Sequence, residues 1–157
     1  MDLIDYSILM ALQEDATISI AALASKVGLS QTPCWKRIQK LEQNGVILGR
    51  VALVAPEEVG LGLTVFVQIE TADHSAEWLK HFAAGLSAMP EVVELYRMAG
   101  DVDYMLRVVV PDMAAYDHFY RDLIERFALK NVTSRFAMER LKQTSVLPIP
   151  KPERRHD

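Results

Sequence analysis

Apolar residues recur every third or fourth position through the first fifty residues, and further along they alternate with polar ones. Those are the periods of one-faced helices and of half-buried strands. In DLIDYSILMALQED, Leu3, Ile4, Ile8, Leu9 and Leu12 share a helical face, and Asp2 and Asp5 suit an N-terminal turn. ATISIAALASKVG predicts a second helix, with Ser19 as N-cap, Ala22, Leu23 and Val27 inward, and Gly28 as the stop. LSQTPCWKRIQKLEQNG predicts a third, capped by Ser30 and ended by Asn44-Gly45. Its Pro33 falls at the third helical position, where the missing N–H is one a helix leaves unpaired. Two short helices joined by a glycine-containing turn form a helix-turn-helix.

The rhythm then changes. VILGRVALV predicts a strand with a glycine break, APEEVGLG a turn, and LTVFVQIE an alternating strand. SAEWLKHFAAGLSAM is amphipathic, with Trp78, Leu79, Phe82 and Leu86 on one side. VVELYRMAGDVDYMLRVVV predicts two strands about a Gly100-Asp101 turn, DMAAYDHFYRDLIERFA a helix, and NVTSRFAMERLKQTSVL a final strand. From residue 63 the order is β-α-β-β-α-β, the ferredoxin-like pattern. The expected fold is α+β: a winged-helix-like helix-turn-helix domain over 1–50, a linker strand and turn over 51–62, and a ferredoxin-like domain over 63–149. The Pro-rich, charged residues 150–157 predict a flexible tail.

Composition narrows the function classes. No apolar run in the 157 residues approaches the roughly 18 needed for a membrane span, and the acidic MDLID start is no signal peptide. One cysteine, Cys34, excludes an intrachain disulfide and suits a reducing, cytoplasmic setting. The four histidines (His74, His81, His118, His156) stand at no zinc-like spacing with Cys34 or carboxylates, so no metal is expected. Phosphate-loop, nucleophile-elbow and HExxH motifs do not occur, and neither an enzymatic activity nor a cofactor is expected.

Net charge is -4, but residues 1–52 hold five acids and five bases, and residues 30–50 hold four bases against Glu42 alone. A local patch, not net charge, decides whether a surface meets phosphate. On the third helix Cys34, Ile38 and Leu41 form one apolar stripe. Opposite lie Thr32, Lys36, Gln39, Lys40 and Gln43, donors suited to phosphate oxygens and base edges. A recognition helix reaches bases through its N-terminal part. Gln31, Thr32, Lys36 and Gln39 are therefore expected at base edges, and Arg37, Lys40 and Arg50 at phosphates. Trp35 flanks the stripe, suited to packing against the first helix or the turn more than to stacking on sugar. Cys34 sits near a helix N-terminus and two bases, which lower a thiol pKa, though a buried cysteine filling a small gap is the simpler expectation.

These residues carry a family likeness. LIDYSILMALQEDATISIAALASKVGLSQTPCWKRIQKLEQNGVI resembles the N-terminal domain of the Lrp/AsnC (feast/famine) transcription regulators. MPEVVELYRMAGDVDYMLRVVVPDMAAYDHFY resembles their amino-acid-sensing domain. TPCWKRIQKLE, GLGLTVFVQIET, HSAEW, MAGDVDYMLRV and SRFAME are similar to its cysteine-responsive, DecR-like branch. The resemblance implies a regulator of amino-acid metabolism that binds palindromic double-stranded DNA as a homodimer and assembles further, often to an octamer. It also implies a small amino-acid effector, L-cysteine favoured, held between subunits. The family's effector loop falls on Gly100, Asp101, Val102 and Asp103, with Tyr104 after it, and Thr133 and Ser134 match polar pocket positions of the last strand. A zwitterion needs N–H donors for its carboxylate and a carboxylate or carbonyls for its ammonium. Gly100 with Asp101 or Asp103 offers both; a plain hairpin braced by an Asp side chain is the alternative. For the whole chain the alternative is a constitutive architectural DNA-binding protein.

Overall fold

The structure, a computed structural model, describes residues 1–153. The chain forms two compact units: Leu53–Arg140, and Met1–Ala52 together with the segment from Leu141 onward.

The first unit carries α1 (Leu3–Glu14), α2 (Ile20–Lys26) and α3 (Gln31–Gln43). Asp2 caps α1: its Oδ1 accepts the N–H groups of Ile4 and Asp5 at 2.9 and 2.8 Å, and its own N–H donates to Asp5 Oδ2 at 3.1 Å. This reciprocal capping box satisfies donors that every helix start leaves open. Ser19 caps α2 through the Ala22 N–H at 3.2 Å. Ala22 itself is exposed, and Ala24 takes the inward place beside Leu23. Ser30 occupies the cap of α3, but its hydroxyl accepts no bond from the helix. A capping oxygen takes the second or third helical N–H, and the third residue here is Pro33, which has none. The core is small and aliphatic: Ile8, Leu9 and Ala11 meet Leu23, Ala24, Cys34, Ile38 and Leu41.

The chain ends differ in detail from what was expected. The segment from Leu141, expected within the second domain, packs with the first unit. There Gln13 takes the Leu147 N–H on Oε1 at 2.7 Å and reaches the Leu147 carbonyl from Nε2 at 3.5 Å, while Ile149 packs against the helical core. The end of the expected tail, residues 154–157, lies outside the described residues. The last strand is also shorter than its apolar pattern suggested, ending at Phe136.

The linker strand predicted in VILGRVALV is absent. Leu48, Val51 and Leu53 are 95%, 81% and 70% exposed. A strand exists only through ladder partners, and past Ile47 this stretch has none among the described residues.

The second unit contains β1 (Leu63–Glu70), α4 (Ala76–Ser87), β2 (Val92–Arg97), β3 (Tyr104–Val110), α5 (Met113–Arg126) and β4 (Asn131–Phe136). The sheet is antiparallel, in the order β2-β3-β1-β4, which is the ferredoxin-like arrangement predicted. Val65, Val67 and Ile69 of β1 and Tyr104, Leu106, Val108 and Val110 of β3 bury one face against Phe82 and Leu86 of α4 and Phe119 and Leu123 of α5. The other face carries Phe66 and Tyr96, 39% and 52% exposed, and an Arg107–Glu94 ion pair at 2.7 Å.

Candidate nucleic-acid interface and effector turn

Helix α3 divides as its period predicts. Cys34, Ile38 and Leu41 are buried, and Gln31, Thr32, Lys36, Gln39, Lys40 and Gln43 are exposed. Its basic residues are not equivalent. Arg37 Nη1 lies 2.6 Å from Asp2 Oδ2 and 2.7 Å from Asp5 Oδ1, so it is tied to the start of α1 and not presented to a phosphate. Arg50 pairs with Glu42 at 3.1 Å, both about 40% exposed, a contact that water and salt weaken easily. Lys36 and Lys40 have no ion pair among the described residues. Free positive charge is thereby concentrated on the two lysines of the outward face.

Two neighbours on the helix are settled as well. Trp35 is 46% exposed, so the packing expected of it covers only half the ring. Cys34 is fully buried, and burial pushes its thiol above the usual cysteine range, against the lowering expected from its basic neighbours. A neutral buried thiol is a packing group.

In the second unit the residues matching an effector loop are separated. Gly100 has φ +130°, a conformation that excludes ordinary side chains, and it lies in the β2–β3 turn with open space where a Cβ would stand. Asp101 is exposed. Asp103 is engaged: its N–H donates to the Ile69 carbonyl at 3.0 Å and its carbonyl accepts from Met98 N–H at 2.8 Å. Its Oδ2 takes the Thr71 N–H at 2.8 Å, and Oδ1 stands 3.8 Å from His74 Nδ1. From Thr71 the bonding continues through Asp73, which accepts the Ser75 N–H at 2.8 Å, to Ser75, which caps α4 by accepting the Trp78 N–H. The Ser75 N–H, and its hydroxyl after it, hold the Asp73 carboxyl below its usual range. Asp103 is thus the brace for the loop that starts α4.

The other three residues expected at the effector site are not brought together within one chain. Tyr104 is buried against Trp78 and Phe82, because β3 turns its even-numbered positions to the core. Thr133 and Ser134 are consecutive in β4 and cannot line one surface. Ser134 faces the helices and hydrogen-bonds the Tyr116 hydroxyl, in a 340 Å³ groove also lined by Met113, Tyr120 and Phe136. Thr133 is paired in register with Gln68. The sheet order also places β1 between β3 and β4, so the turn and the Thr133–Ser134 pair are not on neighbouring strands. His74, near Asp103, was not anticipated; its Thr-Ala-Asp-His-Ser setting offered no signal beyond a loop.

A helix-turn-helix with an exposed basic face, joined to a separate ferredoxin-like unit, fits a DNA-binding regulator with a second, sensing module. Residues 1–42 match the AsnC-type helix-turn-helix domain and residues 64–147 the Lrp/AsnC ligand binding domain. The chain belongs to the Lrp/AsnC family of transcriptional regulators. It is 51% identical over 150 residues to the DNA-binding transcriptional activator DecR of Escherichia coli K12, covering 95% of this chain and 99% of that one. A crystal structure of an AsnC family transcriptional regulator from Agrobacterium tumefaciens superposes with a TM-score of 0.90 at 59% identity, covering 94% of this chain and 97% of that one. The transcriptional regulator NMB0573 of Neisseria meningitidis, solved as an L-Met complex, does so with 0.88 at 33% identity over 94% and 96%. Its relatives are regulators, not enzymes. Among the described residues no His, Cys, Asp or Glu cluster would hold a metal ion, and no helix is long and apolar enough to cross a membrane.

Proposed function

We propose that the protein reads palindromic DNA as a cytoplasmic homodimer, assembling to an octamer, under control of a small amino acid for which L-cysteine is the favoured candidate. The single observation behind the DNA reading is the unpaired pair Lys36 and Lys40 beside Gln31, Thr32 and Gln39 on the exposed face of α3. Gln31, Thr32, Lys36 and Gln39 reach base edges, Lys40 reaches phosphate, and Arg50 joins it when its exposed pair with Glu42 opens. The uncovered sheet face, with Phe66 and Tyr96 exposed, supports pairing of protomers through the second unit. Two recognition helices then meet half-sites one turn of DNA, about 34 Å, apart.

The effector reading rests on separation. Within one chain β1 stands between the Gly100–Asp103 turn and β4, so the two do not close directly around one small molecule. A subunit interface can bring them together around it. Asp101, exposed and outside the bracing network, takes the ammonium, while Asp103 holds the loop. A ligand acts on DNA affinity only through its different affinity for two assemblies, typically about 1–3 kcal/mol.

A thermal-shift screen of the twenty amino acids under reducing conditions, followed by DNA titration with and without the best, tests this. L-Cysteine is expected to raise the melting temperature and change DNA affinity about 5- to 150-fold. Asp101→Ala is expected to lose that response with unaltered ligand-free DNA binding. A different amino acid winning the screen refutes the cysteine assignment, and no response to any favours the constitutive architectural alternative.

A further inference from the structure

We infer that Arg37 is a positioning residue for DNA recognition: it fixes the rotation of the recognition helix from behind, through Asp2 and Asp5, without touching DNA. The four carboxylate oxygens of Asp2 and Asp5 are divided between two tasks. Asp2 Oδ1 and Asp5 Oδ2 close the capping box of α1. Asp2 Oδ2 and Asp5 Oδ1 both face Arg37 Nη1, at 2.6 and 2.7 Å. The cap holds the carboxylates still, and the carboxylates hold the guanidinium. Arg37 is only 32% exposed and Asp5 17%, so the junction is partly shielded from solvent. These bonds keep the Arg37 guanidinium above even its ordinary high pKa, the Asp5 bond first and the Asp2 bond next.

Charge argues against a phosphate role here. One cation faces two anions, so this corner is net negative and repels a phosphate. Lys36 and Lys40 carry the attraction instead. The apolar contacts under α3, from Cys34, Ile38 and Leu41, set its distance from the core. Such contacts are non-directional, so they resist rolling about the helix axis poorly. A roll of about 20° carries side-chain tips 5–6 Å from the axis by about 2 Å. Base-edge hydrogen bonds accept roughly half an ångström of variation. A directional clamp on the flank of α3 is therefore what keeps Gln31, Thr32, Lys36 and Gln39 in reading position. This rests on their assignment to base edges.

The test uses full-length protein, a duplex obtained by selection from random DNA with the wild type, and a scrambled duplex of equal length. Affinities are measured across salt concentrations, and the selected-to-scrambled ratio is the readout, because partial unfolding lowers both affinities equally. Arg37→Ala is expected to reduce the ratio about 5- to 50-fold, leaving scrambled affinity and the salt slope unchanged. Asp5→Asn is expected to reduce the ratio too, although it removes negative charge beside α3. If Arg37→Ala instead lowers both affinities and cuts the slope by about one per protomer, with Asp5→Asn strengthening both, Arg37 is a phosphate contact and the inference is wrong. An unchanged ratio in both variants also overturns it. Gln39→Ala separates this failure from failure of the base-edge assignment: it lowers the ratio if that assignment holds, whatever Arg37 does.

Discussion

The two units of this chain are held together by different means. The sensing unit buries the rings of Phe82, Tyr104, Tyr116, Phe119 and Phe127 between a sheet and two helices. The helix-turn-helix unit buries no aromatic ring among its described residues; its core is Ile, Leu, Ala and one cysteine. An aromatic side chain covers 150–250 Å², so the sensing unit draws far more hydrophobic stabilisation from each buried position. Small domains bury a smaller share of their surface and need help from elsewhere. Here the help is polar and directional: the capping box, the Arg37 clamp and the Gln13 clasp on the returning C-terminal segment. The unit that reads DNA is thus adjusted by single hydrogen bonds, and the unit that senses is set by packing.

Truncating a fully buried ring breaks this comparison hardest if it is wrong. Phe82 is fully buried and stacks on Trp78 with centroids 4.5 Å apart. Phe82→Ala is expected to cost about 3–5 kcal/mol, all of it in the sensing unit. The two tryptophans, Trp35 in α3 and Trp78 in α4, make the units separately visible. With Trp78 changed to Phe, fluorescence melting follows Trp35 alone, and its transition is expected to stay in place when Phe82 is truncated. A Trp35 transition that moves as far as the sensing unit's own would show that the units do not unfold separately.

Legibility follows the same division. The faces of α3 could be read from the sequence because a lone helix needs only its own period: Cys34, Ile38 and Leu41 are inside as predicted. The side-chain cap expected at Ser30 is missing, and Pro33 visibly lacks the N–H that such a cap takes. The order of elements from residue 63 predicted the sheet for a similar reason: the β-α-β-β-α-β rhythm is local. What depended on distant partners was not readable. Arg37 looked like a phosphate ligand because its two acids lie 32 and 35 residues away. The Gln13–Leu147 clasp spans 134 residues and left no periodic trace. The directions in which Tyr104, Thr133 and Ser134 face were not readable, because a strand's faces have meaning only once register is known. VILGRVALV has strand composition without a strand partner, and composition cannot supply one.

The clasp gives a smaller test. Gln13 holds both backbone groups of Leu147 with one amide, much as a neighbouring strand would. Gln13→Ala leaves the Leu147 N–H to water while its carbonyl still accepts the Ile149 N–H, so no buried polar atom is orphaned and the loss is about 1 kcal/mol. Truncation after residue 140 removes the Ile149 contact as well and is expected to cost more. Both should lower the Trp35 transition and leave the Trp78 transition in place. Equal shifts in the two units would mean that the C-terminal segment does not belong specifically to the helical unit.

The smallest expected effect isolates the charge in the Arg37 clamp. The Asp2 carboxyl lies below its usual range. The Asp5 N–H is the largest cause, partial burial opposes it, and the Arg37 guanidinium and the Ile4 N–H add to the lowering. A carboxyl whose folded pKa is depressed contributes stability that is fully present above its unfolded value, about pH 4. That contribution is lost as pH falls through the folded value. The Asp2 side chain is 52% exposed, so solvent screening limits it to a few tenths of a kcal/mol. Asp2→Asn retains a good capping side chain but has no charge to lose. At pH 7 the variant's helical unit is expected to melt slightly below the wild type's, with the gap closing as the pH is lowered past 4. Melting curves for the Trp35 signal between pH 3 and 7 measure that gap. A gap independent of pH would assign the effect of Asp2 to capping alone and leave Asp5 as the electrostatic half of the clamp.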